Sequence, residues 1–575
     1  MASSSQDATV KDITIIGGGI IGCTTAYYLT RHPAYNPATH KITLLEASAS
    51  SSAGGRTKDS ISDPATLAYP DDHDQVGADT GDGSSSSSGQ RKQQQLQQAF
   101  NPAHDGIASG ASGKAGGLLA LWAFPANIVP LSFGLHEDLA REHGGERRWG
   151  YRRCWASQVE CRARIPASLA AAAAAAAGGG SGSGSGSGQP EEKPDNAAGN
   201  TKGLHKDHKK TAAALNRLGV PDDLDWLVAS GAGAAGGGGL EAYENMGTPE
   251  NTAQVHPELF TRSMAALAEE AGVKIITGAR VTRINTTSTT GSGSATTNDD
   301  ALGNSAAASV QNVTYVQSKD ATTTTTTQGQ GQSQEEEEEK EITLPTTHCI
   351  VTAGPWTPTL LPRGPPVSAS RAHSVVIKPA RPVSAYALFT AITLPAGFPA
   401  PTTTTGRNAT TKKGEAGRPA DEEEQEPSRL KRPAMVEPEI YARPDGTAYA
   451  CGPTDTDVPL PAVASDVQVD ERRCMDIVRQ VGGISDELSP STNTSTTTTA
   501  APAEAKVLAK QACYLPQGGP WIGPVPGLQG VVVAAGHTCW GIQNAPATGK
   551  LVSEIVLEGR AKSAKLGGCD PARVM

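Results

Sequence analysis

Short runs of apolar residues recur along the chain, and three of them predict strands buried in a sheet. They span residues 13–16, 349–353 and 531–535. Continuous apolar character over four or five positions is typical of parallel strands that are covered on both faces. The pattern therefore predicts strands that are buried within a sheet.

Other segments show helical or alternating periodicity. Residues 23–30 follow the first strand and predict a helix whose Ala26 and Leu29 face the sheet. Residues 256–284 predict a helix followed by two strands. Apolar residues with helical spacing are Leu259, Met264, Leu267 and Ala271. Apolar residues that alternate along the strands are Val273, Ile275, Val281 and Ile284.

Residues 439–452 predict a β-hairpin. The turn residues Pro444, Asp445 and Gly446 separate two alternating runs. This segment indicates that antiparallel strands accompany the buried strands.

The composition indicates that the folded part of the chain is shorter than its full length. Only 37% of the 575 residues are hydrophobic and 4% are aromatic, with 64 Gly and 40 Pro. Much of the deficit lies in Ser-, Gln-, Gly-, Thr- and Glu-rich tracts that cannot bury enough apolar surface to fold. We predict low-complexity insertions at 48–104, 168–210, 286–308, 318–340, 400–432 and 485–504. The rest, roughly 375 residues, suffices for one large or two medium domains.

Charge and cysteine content narrow the class of protein. The net charge of −10 argues against nucleic acid as the main partner. There is no apolar run long enough to span a bilayer and no signal-peptide core at the N-terminus, so we expect a cytoplasmic location without a transmembrane segment. Nine cysteines without a C-x-x-C pair fit a reducing compartment and suggest no metal site.

The first predicted strand leads into a glycine motif, G-x-G-x-x-G, formed by Gly17, Gly19 and Gly22 with Ile20 and Ile21 between the last two. The first glycine permits a tight turn, the second lets the backbone approach a pyrophosphate, and the third lets the helix pack closely on the strand. The helix N-terminus then offers N–H groups to the phosphates.

The second strand, at 41–45, ends on Glu46, which lies 24 residues beyond Gly22. A carboxylate at this place accepts hydrogen bonds from an adenosine ribose and repels a 2′-phosphate. The segment therefore favours FAD or NAD over NADP, and it does not separate FAD from NAD.

A glycine-rich stretch, GASGKAGG at 110–117, resembles the second flavin-contacting loop of the D-amino-acid-oxidase-like FAD-dependent oxidoreductases, which include glycine oxidase and sarcosine oxidase. Residues 256–284, 349–361 and 511–559 resemble further segments of this family in the same order. The run AAGHTCWGIQNAPATGK at 534–550 is similar to a fungal subgroup linked to late-endosome traffic.

The resemblance implies an α/β fold with an α+β second domain. A Rossmann-like FAD-binding domain would comprise 10–47, 105–147, 250–285, 341–365 and 505–575, interleaved with an antiparallel-sheet substrate domain at 148–167, 211–249 and 366–484. Because 48–106 separates the ribose-binding acid from the second loop, we expect that insertion to leave from a surface turn. The apolar strand at 531–535 would precede a helix that Pro546 opens near Asn544.

The family's cofactor contacts carry over to twenty positions, namely Gly17, Gly19, Ile20, Ile21, Gly22, Glu46, Ser112, Gly113, Lys114, Ala115, Gly116, Val281, Ala353, Gly354, Trp356, Cys513, Gly536, His537, Gly541 and Ile542. Cys513 matches the cysteine that sarcosine oxidases bond covalently to FAD, although a buried cysteine is commonly a small apolar residue. His537 and Trp540 are the catalytic candidates; His537 either acts on the flavin or a proton, or only hydrogen-bonds neighbouring backbone.

Substrate contacts are predicted for Arg371, Tyr441, Tyr449 and Trp122, with plain packing or surface charge as the alternative for each. Amine-oxidising relatives carry an arginine before the proline that precedes the last strand, and this arginine pairs with the substrate carboxylate. Here Leu515 precedes Pro516, which weakens the case for a free amino acid unless Arg371 or Arg152 replaces that arginine.

The resemblance implies an FAD-dependent oxidoreductase that takes a hydride from a CH–NH group of an amine or amino-acid-like small molecule, with oxygen or another acceptor reoxidising the flavin. A flavin-binding scaffold with little turnover, acting in endosomal trafficking and associated with endosomes, is the alternative. A nicotinamide-dependent dehydrogenase is disfavoured because residues 110–117 and 511–559 would have no role in it.

Overall fold

The computed structural model describes residues 10–49, 106–165, 220–228, 238–287, 308–318, 340–402, 428–490 and 504–575. The predicted insertions lie almost entirely outside these ranges.

Helices in the described ranges are α1 (Ile20–Arg31), α2 (Val129–His143), α3 (Gly145–Arg148), α4 (Pro257–Glu270), α5 (Thr357–Leu360), α6 (Glu471–Gly482) and α7 (Gly541–Glu558). The strands are β1 (Lys11–Ile16), β2 (His40–Leu45), β3 (Leu118–Ala120), β4 (Arg152–Arg153), β5 (Trp155–Arg162), β6 (Gly239–Gly247), β7 (Thr252–Gln254), β8 (Lys274–Ile276), β9 (Ala279–Thr287), β10 (Ala308–Gln317), β11 (Glu341–Pro345), β12 (His348–Val351), β13 (Ser368–Lys378), β14 (Tyr386–Leu394), β15 (Ala434–Val436), β16 (Glu439–Ala442), β17 (Ala448–Asp455), β18 (Lys506–Gln517), β19 (Trp521–Pro524), β20 (Leu528–Gln529) and β21 (Val531–Ala535).

A six-stranded sheet in the order β19-β21-β12-β1-β2-β8 forms the centre of the fold. Strands β21, β12, β1, β2 and β8 are parallel to one another. Strand β19, at one edge, is antiparallel to β21. The three apolar runs predicted as buried strands are β1, β12 and β21, and they lie side by side. The predicted α/β fold class is confirmed.

Both faces of this sheet are covered, which explains the continuous apolar character of its strands. Ile13 and Ile15 belong to a core shared with α1, α4 and α7, whereas Ile16 and Val351 belong to a second core shared with β9 and β10. Strands β9, β10, β11 and β20 form a four-stranded sheet over that second face. Each strand therefore needs apolar side chains at successive positions rather than at alternate ones.

A second large sheet has the order β18-β13-β17-β16-β14-β5-β6, with β15 beside β14. Its neighbouring strands are antiparallel except β14 and β5, which are parallel. Strands β16 and β17 form the hairpin predicted at 439–452, with Tyr441 opposite Tyr449. Helix α6 packs on β13 and β17 of this sheet, and its Ile477 and Val481 are buried.

Strand β18 departs from the predicted domain boundary. The sequence places 505–575 with the cofactor segments, yet β18 pairs along the whole of β13 at the edge of the second sheet. An edge strand is partly exposed and carries polar residues such as Lys506 and Lys510, so its pattern does not reveal its partner. Strand β4, assigned to the substrate domain, pairs instead with β7.

The predicted start of the last helix is wrong. Helix α7 begins at Gly541, and Pro546 lies inside it rather than at its first turn. A proline at this place removes the N–H that would bond to the carbonyl of Ile542. Nε2 of His136 donates to that carbonyl at 3.0 Å, and the N–H of Ala547 donates to Oγ of Ser132 at 3.1 Å.

Ser132 and His136, which bond to these backbone groups of α7, are four positions apart on α2, and both are buried. Burial lowers the pKa of His136 to about 4, because the imidazolium would lose its hydration there. His136 is therefore neutral near pH 7, with its proton on Nε2, as the bond to a carbonyl requires.

No helix in the part of the chain that the structure describes has the length and apolar character needed to cross a bilayer.

We predict that His136→Leu lowers the free energy of unfolding by about 1–3 kcal/mol, since the carbonyl of Ile542 loses its donor. In a Pro546→Ala background, the N–H of the new alanine supplies a donor within the helix, and the loss should be smaller by about 1 kcal/mol. Urea denaturation of the four proteins in this double-mutant cycle measures the difference. Strictly additive changes would contradict the pairing.

Candidate functional site

A cavity of about 520 Å³ opens at the carboxyl ends of β1, β2, β12 and β21. This is the edge of a parallel sheet where ligands commonly bind, and the volume is usual for a ligand pocket. Gly17, Glu46, Ala353 and Gly536 lie in its wall, each just beyond the end of a strand. The topology thus brings together four segments that are separate in the sequence.

The glycine motif forms one side of this cavity. Gly17 has a φ of +114°, and a Cβ there would lie 2.5 Å from the carbonyl oxygen of Thr352. Helix α1 begins at Ile20, directly after Gly19, which lines the cavity and offers no side chain to cap the helix. The N–H of Ile20 donates to Oγ of Ser112 at 2.9 Å. The predicted second loop therefore contacts the first glycine turn.

Glu46 is held rigidly at the end of β2. Its Oε2 accepts from the N–H of Gly18 at 2.7 Å, and its Oε1 accepts from the N–H of Ser48 at 2.8 Å. Burial raises the pKa of Glu46, while the hydrogen bonds from Ser48 and Gly18 oppose the rise. A carboxylate has about four acceptor positions, so both oxygens retain capacity for hydroxyl groups in the cavity.

The flanks of the long insertion meet beside this carboxylate. Oγ of Ser109 donates to Oγ of Ser48 at 2.8 Å, although some sixty residues separate them in the sequence. This contact agrees with an insertion that leaves and re-enters the fold at one place. The residues of the insertion itself lie outside those described.

The opposite side of the cavity is formed by residues 536–542. Gly536 has a φ of +82°, and His537 follows it as a buried residue in the cavity wall. Nε2 of His537 lies 3.0 Å from Oγ1 of Thr548, and that hydroxyl donates to the carbonyl of Asn544. His537 therefore donates to a side chain rather than to the neighbouring backbone. Burial lowers its pKa to about 3, so the imidazole is neutral near pH 7.

Three successive carbonyls of the glycine-rich loop accept hydrogen bonds from residues that lie outside the large cavity. The hydroxyl of Tyr449 donates to Lys114 O at 3.0 Å, Nη2 of Arg443 donates to Ala115 O, and Nε2 of Gln254 donates to Gly116 O at 3.3 Å. These donors lie on or beside β17, β16 and β7. The hairpin of β16 and β17, in the second large sheet, and strand β7, which pairs with β3 and β4, thus fix the loop between them.

A smaller cavity, of about 80 Å³, lies between this loop and the second sheet. Its wall includes Glu439, Cys451 and eight of the predicted positions, namely Lys114, Ala115, Gly116, Tyr441, Tyr449, Cys513, Trp540 and Ile542. Residues that line both cavities are Ala111, Ala115, Leu515, Cys539 and Ile542. The two cavities are therefore neighbours across a shared wall.

The predicted cofactor positions separate into three groups. Those in the wall of the large cavity are Gly17, Gly19, Ile20, Ile21, Glu46, Ser112, Ala115, Val281, Ala353, Gly354, Trp356, Gly536, His537, Gly541 and Ile542. Lys114, Gly116 and Cys513 line the small cavity instead. Gly22 and Gly113 line neither; each lies where a Cβ would strike backbone, so both allow close packing.

Arg371, predicted as a substrate contact, is not among the residues that line either cavity. Its Nε lies 3.2 Å from Oδ1 of Asp455 on the neighbouring strand, and the side chain is 4% exposed. Arg152 donates to Gln254 and to the carbonyl of Ala442. Neither arginine is among the residues that line the two cavities, both of which include Leu515. Trp122 packs edge-on against Trp540 and is not a lining residue.

One part of the large cavity was not predicted. Residues 460–464, from the loop between β17 and α6, lie in its wall. Nε1 of Trp356 donates to the carbonyl of Pro461 at 2.6 Å, and the hydroxyl of Tyr514 donates to that of Val458 at 2.6 Å. The sequence signal here is an apolar, proline-containing loop, and the two hydrogen bonds that hold it against the cavity come from residues distant in the sequence.

Comparison with known proteins identifies the family. The FAD dependent oxidoreductase family (DAO) matches residues 12–74 and 103–555. "Putative oxidoreductase TDA3" of Saccharomyces cerevisiae is 28% identical over 98% of this chain and 94% of its own length. "Putative oxidoreductase C1F5.03c" of Schizosaccharomyces pombe is 25% identical over 98% of both chains.

Among solved structures, glycine oxidase from Geobacillus kaustophilus aligns over 99% of this chain and 100% of its own, with 14% identity and a TM-score of 0.49. Glycine oxidase from Bacillus cereus aligns over 96% and 95%, with 13% identity and a TM-score of 0.48. The family match covers most of the chain and includes every strand end that lines the large cavity. The chain therefore belongs to the DAO family and is an FAD-dependent oxidoreductase.

Proposed function

We propose that this protein removes a hydride from a CH–NH group of a small amine or amino-acid-like molecule and delivers it to FAD bound in the large cavity. The observation that carries the proposal is the shared wall between the two cavities. A planar ring beside Ala115, Cys539 and Ile542 would present one face to the small cavity. Orientation of the substrate over that ring is the main requirement of the reaction.

The residues present fit a dinucleotide. Gly22 packs so tightly that a Cβ would lie 2.0 Å from the carbonyl of Gly17, which keeps α1 close to β1. The N-terminus of α1 at Gly19 suits the pyrophosphate, and the carboxylate of Glu46 suits the ribose hydroxyls. These features agree with the family's cofactor.

Bound FAD supplies the acceptor for two electrons. As the C–H bond breaks, its electron pair leaves as a hydride, a C=N bond forms, and the nitrogen releases a proton. The N-terminus of α7 at Gly541 borders the large cavity and carries partial positive charge, without an acidic residue in its first turn. This partial charge would stabilise the negative charge that a flavin bound there gains when it accepts a hydride. His537 beside it adds no competing charge, because it is neutral.

The acceptor that reoxidises the flavin, and the association with endosomes, remain predictions from the resemblance. The family match supports FAD and a redox reaction. The choice between amines and amino acids depends on the small cavity, whose wall includes Leu515 and no arginine among the residues described.

We predict that Gly22→Ala raises the dissociation constant for FAD at least tenfold, since the added methyl group forces the glycine turn apart. Gly134→Ala is the matched control, because a Cβ at Gly134 meets nothing within 4 Å. The ratio of flavin absorbance to protein, and titration of the apoprotein with FAD, give the affinities. Equal affinities in the two variants would show that the turn does not hold the cofactor.

We expect the purified protein to show oxidised-flavin absorbance that bleaches under anaerobic conditions with at least one member of a panel of primary amines, secondary amines and amino acids. Deuterium at the carbon beside the nitrogen should slow the bleaching, because that C–H bond breaks. Absence of flavin bands would contradict the proposal. Flavin that no panel member reduces would favour the scaffold that binds flavin without turnover.

A covalent bond between Cys513 and the flavin is the finer form of the cofactor proposal. Cys513 is 4% exposed, and burial raises the pKa of its thiol to about 11, against which Lys114 acts. If the bond forms, the intact mass of the denatured protein exceeds that of the chain by the mass of FAD, and Cys513→Ser removes the excess. A mass equal to the bare chain excludes the bond.

A further inference from the structure

The loop between β17 and α6, here called the strap, comprises residues 456–470. Residues 460–464 line the large cavity. Pro459, Ala462 and Ser465 in the same stretch are exposed to solvent. A single thickness of chain therefore separates the cavity from solvent at this place.

The strap crosses the cavity between two of its walls. Nε1 of Trp356, which follows β12, donates to the carbonyl of Pro461 at 2.6 Å. Three residues further along, Cβ of Ala464 is 3.8 Å from the position that a Cβ would take at Gly110. Trp356 and Gly110 both line the cavity. The strap therefore extends from the segment after β12 to the glycine-rich loop.

Arg371 holds both ends of the strap. Its Nε lies 3.2 Å from Oδ1 of Asp455, the last residue of β17, and its Nη1 donates to the carbonyl of Gln468 at 3.3 Å. Both side chains of the ion pair are buried, so their attraction must offset the hydration that they lose. One side chain of β13 thus joins the residue before the strap to a residue near its end.

His373 and Arg473 strengthen this attachment. Nε2 of His373 accepts from the N–H of Asp470 at 3.0 Å, and Nη2 of Arg473 donates to Oδ2 of Asp457 at 2.8 Å. Burial lowers the pKa of His373 to about 4, so its imidazole is neutral near pH 7 and Nε2 is free of a proton to accept this bond. Side chains of β13 and α6 therefore fix the two ends of the strap at one place.

We propose that the strap opens to admit and release FAD, and that Arg371 is the positioning residue that keeps it closed. This rests on the proposed function, since FAD must occupy the large cavity. The walls at Gly17, Ala353 and Gly536 follow strands of the central sheet, and moving them would break strand pairings. The regular structure within the strap is one short 3-10 turn, Ala464–Asp466. The strap is therefore a wall that can move while the central sheet stays intact.

A reversible cross-link between the strap and the glycine-rich loop tests the proposal directly. In the double variant Gly110→Cys, Ala464→Cys the two Cβ atoms have a separation usual for a disulfide, and Gly110 has a negative φ that a cysteine adopts. The holoprotein is oxidised with glutathione disulfide, and exchange of bound FAD for isotopically labelled FAD is followed. We expect exchange to slow by about tenfold or more in the cross-linked protein and to recover on reduction. Each single variant is a matched control.

The variant Arg371→Gln tests the attachment from the opposite direction. We expect both association and dissociation of FAD to become about tenfold faster, because a loosened strap is open for a larger fraction of the time. The dissociation constant should change less than either rate. Arg371→Lys keeps the charge but lacks the fork that reaches two partners, so its rates should lie between those of the other two proteins. The melting temperature of each apoprotein verifies that it is folded.

Tyr514→Phe loosens the strap without leaving a buried charge unpaired. The hydroxyl of Tyr514 donates to the carbonyls of Val458 and Pro459, at 2.6 and 3.1 Å. Both rates should rise, by less than in Arg371→Gln. Tyr386→Phe is the matched control, since it removes a hydroxyl that donates to Asp223 at 2.8 Å elsewhere in the same sheet, and it should leave both rates unchanged.

Equal exchange in the cross-linked and the reduced protein would overturn the inference. So would faster dissociation of FAD from Arg371→Gln and Tyr514→Phe with unchanged association, because that result indicates lost contacts rather than a wall that opens. If the unmodified protein binds no FAD, the proposed function fails and the strap inference fails with it. If an amine reduces bound FAD while the cross-link has no effect on exchange, the proposed hydride transfer stands and the strap inference alone fails.

Discussion

The close crossing of helices α1 and α7 is the constraint on which the site depends. A Cβ at Gly549 of α7 would lie 2.6 Å from the backbone of Thr24 in α1, and Oγ1 of Thr24 donates to the carbonyl of Ala545 at 3.0 Å. Both helices begin at the wall of the large cavity, at Ile20 and Gly541. Their contact sets the spacing of two positive helix ends. Helix α7 keeps its course through Pro546 because α2 supplies the missing hydrogen bonds.

The glycine-rich loop connects this pair of helices to the second sheet. Ser112 contacts the start of α1, while the carbonyls of Lys114, Ala115 and Gly116 are bonded by Tyr449, Arg443 and Gln254. The loop is therefore held from both sides, and it forms part of the wall between the cavities. The same hairpin that fixes the loop also forms part of the wall of the small cavity, through Tyr441 and Tyr449.

Local patterns were sufficient to predict β1, the glycine turn, α1 and the β16–β17 hairpin, because neighbouring residues determine each of them. The placement of Arg371 could not be predicted, since its partner Asp455 is 84 residues away and only the strand register brings them together. The pairing of β18 with β13 also depends on residues that lie far apart in the sequence. Residues 460–464 and the role of His136 beside Pro546 also depend on contacts between distant segments, which periodicity does not reveal.

In the proposed complex the flavin ring of FAD lies at the wall shared by the two cavities, and the adenosine ribose of FAD lies at Glu46. A crystal structure of the purified protein with its cofactor tests this most directly. We expect electron density for FAD that runs from the carboxylate of Glu46 to Ala115 and Cys539, with one face of the ring open to Glu439 and Tyr441. Density that places the ring outside this wall, or a large cavity without a dinucleotide in a flavin-containing crystal, would contradict the account.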